Sequence, residues 1–164
     1  LANDNAKVQR IAGDIRSKYE SSPYTQMAAL AAAKTAFEAN DLKTAKAQLQ
    51  WAADNGNDEY KSIAKLRLAG VLLDEKAFDE ALKVLNGTFL PQFTAEVNDR
   101  KGDVLVGQNK LNEARAAYVA ALAAMDAASP ARQLVQVKLE AIGGTVPADK
   151  NTATTPAADQ KAAA

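Results

Sequence analysis

The sequence predicts an all-α protein built from consecutive helix pairs, on three observations. Alanine dominates, with 37 of 164 residues, inside a 48% apolar content of which aromatics make only 5% of the chain. Alanine is the strongest helix former and buries little surface per residue, so closely packed helices follow. No segment alternates Val, Ile, Thr and aromatics with polar residues, as a half-buried sheet requires. Finally, one ten-residue pattern occurs three times, as NDLKTAKAQL at 40–49, KAFDEALKVL at 76–85 and NKLNEARAAY at 109–118.

Each element follows from local signals. Val8, Ile11, Ala12, Ile15 and Tyr19 form one apolar stripe on an otherwise charged first helix. Ser22-Pro23 restarts the chain, serine suiting an N-cap and proline the first helical position. The helix that follows reaches Asn40-Asp41, and a second ends near Asn55-Gly56-Asn57, where Gly56 is expected in the left-handed conformation. Residues 58–75 form a helix with Ile63, Leu66, Ala69, Leu72 and Leu73 on one side, and 79–85 its shorter partner, closed by Asn86-Gly87. Pro91 opens a third pair, at about 92–107 and 112–125. A last helix starts at Ser129-Pro130, carries Leu134, Val135, Val137, Leu139 and Ile142, and stops at Gly143-Gly144.

The spacing of the repeated pattern identifies the architecture. Leu42, Phe78 and Leu111 stand 36 and 33 residues apart, as do Ala45, Ala81 and Ala114, and Leu49, Leu85 and Tyr118. Twelve residues before each alanine stands a small residue, Ala33, Ala69 or Gly102. A helix-pair period of about 34 residues is the tetratricopeptide period. Its helices cross closely only where side chains are tiny, which these small residues supply, while the larger ones fill the gap to the next repeat. An alanine-rich chain produces single coincidences, but not three positions in phase across three copies. The expected fold is a tetratricopeptide-like α-solenoid of about three helix-turn-helix repeats with N- and C-terminal capping helices. Residues 1–22 form the first cap, 23–144 the repeat domain, and 145–164 a disordered Ala/Thr/Pro-rich tail with nothing to bury.

Composition narrows the function. Twenty Lys and Arg balance twenty Asp and Glu, with no basic block of the kind nucleic acid selects. Cysteine and histidine are both absent, which removes thiol chemistry, the usual general base and the commonest metal ligand. No glycine-rich phosphate loop and no Gly-x-Ser-x-Gly occurs. An enzyme is therefore not expected, nor a cofactor or metal. No apolar run approaches the roughly 18 to 20 residues that span a bilayer. The chain starts at Leu1, so a processed or excised form is expected, with any signal or anchor upstream.

In such arrays the first helix of each pair lines the concave face. The inward positions are Met27, Leu30, Lys34 and Phe37, then Ile63, Leu66, Leu73 and Asp74, then Glu96, Asp99, Asp103 and Val106. That surface is apolar at one end and acidic at the other, suited to a peptide carrying some positive charge. The competing reading makes Leu30, Phe37, Leu66 and Leu73 plain core. Glu96, Asp99 and Asp103 lie at i, i+3 and i+7 and either hold a hard cation or form a solvated charged face among Arg100 and Lys101. The solvated face is favoured, since no glycine-bearing calcium loop accompanies them; Asp103 alternatively satisfies a neighbouring helix end. Trp51 is expected at the interface of the first and second repeats rather than on a recognition surface.

Three stretches, beginning at SSPYTQMAALAAAKTAFEAN, YKSIAKLRLAGVLLDEKAF and RKGDVLVGQNKLNEARAAY, closely resemble the tetratricopeptide-like family of ancillary Sec-translocon subunits, the YfgM-like proteins. The resemblance covers roughly residues 1–142. Its more telling pieces are Leu66-Arg67-Leu68-Ala69 and Gly102-Asp103-x-Leu105, both helix-packing motifs. It implies a periplasmic repeat domain of a single-pass inner-membrane protein, anchored by an N-terminal helix missing here. Translocon subunits and periplasmic chaperones are the implied partners. The alternative is a structural scaffold or assembly factor of the cell envelope, homo-oligomeric or acting in outer-membrane assembly.

Overall fold

The computed structural model describes residues 2–19 and 22–147, so most of the expected tail lies outside the described residues. Among the described residues eight α-helices follow one another: α1 Ala2–Lys18, α2 Pro23–Glu38, α3 Leu42–Asn55, α4 Asp58–Asp74, α5 Phe78–Leu85, α6 Thr94–Gly107, α7 Leu111–Ala124 and α8 Pro130–Ala141. Helices α2/α3, α4/α5 and α6/α7 are the three antiparallel pairs. No strand occurs among the described residues, and no helix there is long and apolar enough to cross a membrane.

The turn inside each pair repeats to the residue. Asn40, Lys76 and Asn109 take left-handed backbone, with φ of 58°, 60° and 59°. In each turn that residue's N–H donates to the carbonyl three residues back (Phe37, Leu73, Val106). The next N–H, from Asp41, Ala77 or Lys110, donates to the carbonyl five residues back at Ala36, Leu72 or Leu105, at 2.8 to 2.9 Å. This double bond pattern satisfies the last carbonyls of the first helix and reverses the chain within two residues. Helix α8 ends in the same turn: Gly143 (φ 72°) donates to Glu140 at 2.8 Å and Gly144 to Leu139 at 2.9 Å. The C-terminal cap is thus built as the first helix of a fourth pair.

Two local expectations are corrected. Gly56 is not left-handed, having φ −68° and ψ 166°. It is glycine for space, since a Cβ there would stand 2.6 Å from the Ala52 carbonyl oxygen. Asn57 then caps α4, its side chain accepting from Tyr60 N at 3.0 Å. The third pair begins at Thr94 rather than near Gln92, because Pro91–Phe93 forms a separate 3-10 turn. That turn is closed by Phe93 N on the Leu90 carbonyl at 3.0 Å and by the Thr94 hydroxyl on Pro91 at 2.7 Å.

Small residues sit where the helices of a pair cross. Ala33, Ala45, Ala69, Ala81 and Ala114 are buried, and Gly102 with them. At Gly102 a Cβ would meet the Tyr118 ring at 2.3 Å, so the tyrosine takes the space that alanine opposite leucine occupies at 33/49 and 69/85. Gly107 does the same between repeats, its missing Cβ leaving 2.4 Å to the Phe78 ring. One core cluster runs through the first two pairs into α6, and a second joins α6, α7 and α8 through Leu105, Tyr118, Leu122, Val135 and Leu139. Half-buried Val146 packs against the latter. At the other end α1 is held by polar contacts. Gln9 donates to the Ala32 carbonyl at 2.7 Å, and the Arg16 guanidinium lies 4.3 Å above the Trp51 ring. Burial there lowers the Arg16 pKa. Trp51 is thereby a structural residue, packed against the core and roofed by the cap.

Candidate functional site

The first helices of the pairs, α2, α4 and α6, line a groove of about 570 Å³. Its floor is apolar, from Ala33, Leu49, Leu66 and Val71, and its walls carry Lys34, Arg67 and Arg100 against Asp74, Glu96 and Asp99. Phe37 stands at one rim, 42% exposed, an unusual position for a phenylalanine in a chain with so few aromatics. Arg67, Asp74 and Glu96 make no side-chain hydrogen bond or ion pair among the described residues. Lys34 pairs only loosely with Glu38, at 3.6 Å with both exposed.

Of the twelve residues projected onto this face, Lys34, Phe37, Leu66, Asp74, Glu96 and Asp99 line the groove. Leu30 does not, because it is buried in the core at 7% exposure, and Ile63 and Leu73 are half-buried against that core. Val106 packs on the second cluster, and Met27 is exposed away from the cavity.

The acidic end also differs from expectation, because a lysine from the last helix occupies it. Lys138 Nζ reaches both Asp99 carboxylate oxygens, at 2.8 and 3.0 Å, and both oxygens of Asp103, at 2.9 and 3.0 Å. Asp103 also accepts from the Tyr118 hydroxyl at 2.9 Å. Burial first, and then the Asp103 carboxylate, push the Tyr118 hydroxyl far above its ordinary pKa, so it remains a donor. Asp103 therefore serves this network and not a helix end. Among the described residues no group of acidic side chains is arranged to hold a metal ion.

Sequence reasoning missed Gly70, and also Arg67 and Arg100, the two arginines that turn an acidic wall into one of both signs. The signal was present in the repeat register: Lys34, Gly70 and Asp103 are separated by the same 36 and 33 residues. A second hollow, of about 800 Å³, lies on α3, α4 and α5 among Lys46, Gln50, Lys65 and Lys83. Two of its lysines are already engaged, Lys46 with Glu75 at 2.7 Å and Lys65 with the Thr88 carbonyl at 3.1 Å, and it has no exposed aromatic. Glu80 and Lys83 of this hollow are without partners among the described residues as well, so it is the accessible ring of Phe37 that favours the first groove as the working surface.

Comparison with known proteins agrees with this architecture. The tetratricopeptide repeat-like domain family matches residues 1–144. An ancillary SecYEG translocon subunit of Neisseria gonorrhoeae is 33% identical over 145 residues, 86% of this chain and 69% of the relative. One from Escherichia coli is 32% identical over 117 residues, covering 71% of this chain and 56% of the relative. No solved structure matches the chain significantly.

Proposed function

This chain belongs to the tetratricopeptide repeat-like family of ancillary SecYEG translocon subunits, and on that premise we propose that it is a protein-interaction module whose α2/α4/α6 groove contacts the translocon or its clients. The observation that carries the reading is the exposed Phe37 over an apolar floor, flanked by charges that the fold leaves partnerless. A folded chain gains nothing from an aromatic ring in water or from isolated charges of both signs at a cavity wall, whereas a partner supplies contacts to both. Catalysis is not part of this reading: the sequence holds no histidine or cysteine, and among the described residues no cluster of acidic side chains is arranged to hold a metal ion. The proposal places the domain on the periplasmic side of the inner membrane, held there by an anchor upstream of Leu1, with periplasmic chaperones among its contacts.

The test is in-cell photocrosslinking from Phe37 and Lys34 in the full-length protein, with adducts identified by mass spectrometry. Adducts with translocon subunits or chaperones are expected. Adducts confined to the same chain would sink the reading. A scaffold role has one observation in its favour, the exposed Leu134 and Val137 on α8, at 58% and 56%. A solution mass of twice the monomer, lost on Leu134→Gln, would support it.

A further inference from the structure

Three glycines lie inside the repeat helices, and two of them are explained by packing. Gly102 and Gly107 leave room for the rings of Tyr118 and Phe78. Gly70, in the middle of α4, leaves room for nothing in its own chain. A Cβ added there meets only the Arg100 guanidinium, at 3.8 and 3.9 Å, an ordinary contact with a flexible group. Mid-helix glycine is unfavourable against alanine, so this position costs stability without a packing return. The equivalent positions in the neighbouring repeats carry side chains, Lys34 and Asp103. Gly70 is instead a gap in the groove wall, between Arg67 and Asp74 on one face of the same helix, at i−3 and i+4.

The groove's chemistry also says what kind of chain enters it. Its backbone is wholly helical, so α2, α4 and α6 offer no free edge to an extended strand. No Asn, Gln, Ser or Thr lines it, and an extended segment would bring one unsatisfied N–H and C=O per residue to an apolar floor. A helix satisfies its own backbone and asks only for an apolar seat and charge partners. Resting on the groove reading above, we infer that the occupant is an amphipathic helix that seats one large apolar side chain in the gap at Gly70. An acidic residue of that helix meets Arg67, and basic residues meet Asp74 and Glu96, the three partnerless charges of the wall.

The test carries a photocrosslinking residue at Phe37 in the full-length protein, with glycine, alanine or leucine at position 70. Gly70→Leu fills the gap from within. It keeps the helical circular dichroism of the parent and lowers the intermolecular adduct by about tenfold or more, the scale on which a filled apolar pocket discriminates. Gly70→Ala melts above the parent, since the space is open and alanine is the better helix former, yet crosslinks less; it decides the matter if the leucine variant does not fold. The adduct peptide maps to a helical segment with a Leu, Phe, Met or Trp flanked by charges of both signs. An adduct yield unchanged by both substitutions, or an adduct on a strand or loop, overturns the inference while leaving the groove reading intact. If the parent itself gives no intermolecular adduct from Phe37, the groove reading falls, and the inference with it.

Discussion

Gly102→Ala, in most helices a stabilising change, should here destabilise. The added Cβ would stand 2.3, 2.5 and 2.8 Å from three atoms of the Tyr118 ring. Carbon atoms prefer about 3.5 to 4.0 Å, so the ring must retreat by more than an ångström. It has nowhere to go, being 2% exposed with its hydroxyl tied to Asp103 at 2.9 Å. Overpacking of this kind costs about 1 to 3 kcal/mol, against about 1 kcal/mol gained in helix propensity. The balance is a loss on the order of 1 kcal/mol, read as a lower urea midpoint with unchanged slope. Tyr118→Leu should also destabilise, through lost ring burial and the lost bond to Asp103. The double variant recreates the alanine-leucine pair of positions 33/49 and 69/85 and should be more stable than the sum of the single losses. Residues in contact couple by about 0.5 to 3 kcal/mol; additivity within the error, or a Gly102→Ala chain at least as stable as its parent, would refute the size-exchange argument.

Three other perturbations test the register and the turns. Ala81→Leu places a large side chain at a fully buried helix crossing and should cost on the order of 1 to 3 kcal/mol, so a wild-type melting midpoint would undo the repeat alignment. Lys76→Asn gives the second turn the residue found in the first and third; it should stabilise by about 0.5 kcal/mol, a fraction of the roughly 1 to 2 kcal/mol that left-handed backbone costs an ordinary residue, and a lowered midpoint would contradict this. Asp41 caps α3 through Thr44 N at 3.1 Å, chiefly by hydrogen bonds that hold its carboxyl below the usual range. Its contribution is therefore complete above the unfolded carboxyl value of about 4 and lost as pH falls through the lower folded value. Asp41→Ala should lower the midpoint at pH 7 and make less difference at pH 2; an equal difference at both would assign the effect to packing.

The repeat was legible because its signals are local and periodic. Leu49, Leu85 and Tyr118 recur in phase in the sequence, and the structure buries all three. The left-handed turns were half hidden: Asn40 and Asn109 advertise them, whereas Lys76 disguises the middle one. The groove was read less well, because a periodicity names a helix face without giving its rotation against the next helix. Leu30 and Leu73 thus went to the core while Arg67 and Arg100 came to the wall. Lys138 was beyond reach, since no spacing rule links a lysine to carboxylates 39 and 35 residues earlier.

That lysine makes Asp99 a shared resource. The carboxylate belongs to the groove wall, yet it also anchors α8 to α6. A cationic group arriving in the groove beside Asp99 competes with the anchor, and reciprocity of linked equilibria requires each to weaken the other by the same factor. If the proposed partner places a cation there, its binding loosens the tie between α8 and α6. Amide exchange along α8 would report that loosening, faster with such a partner bound than without it.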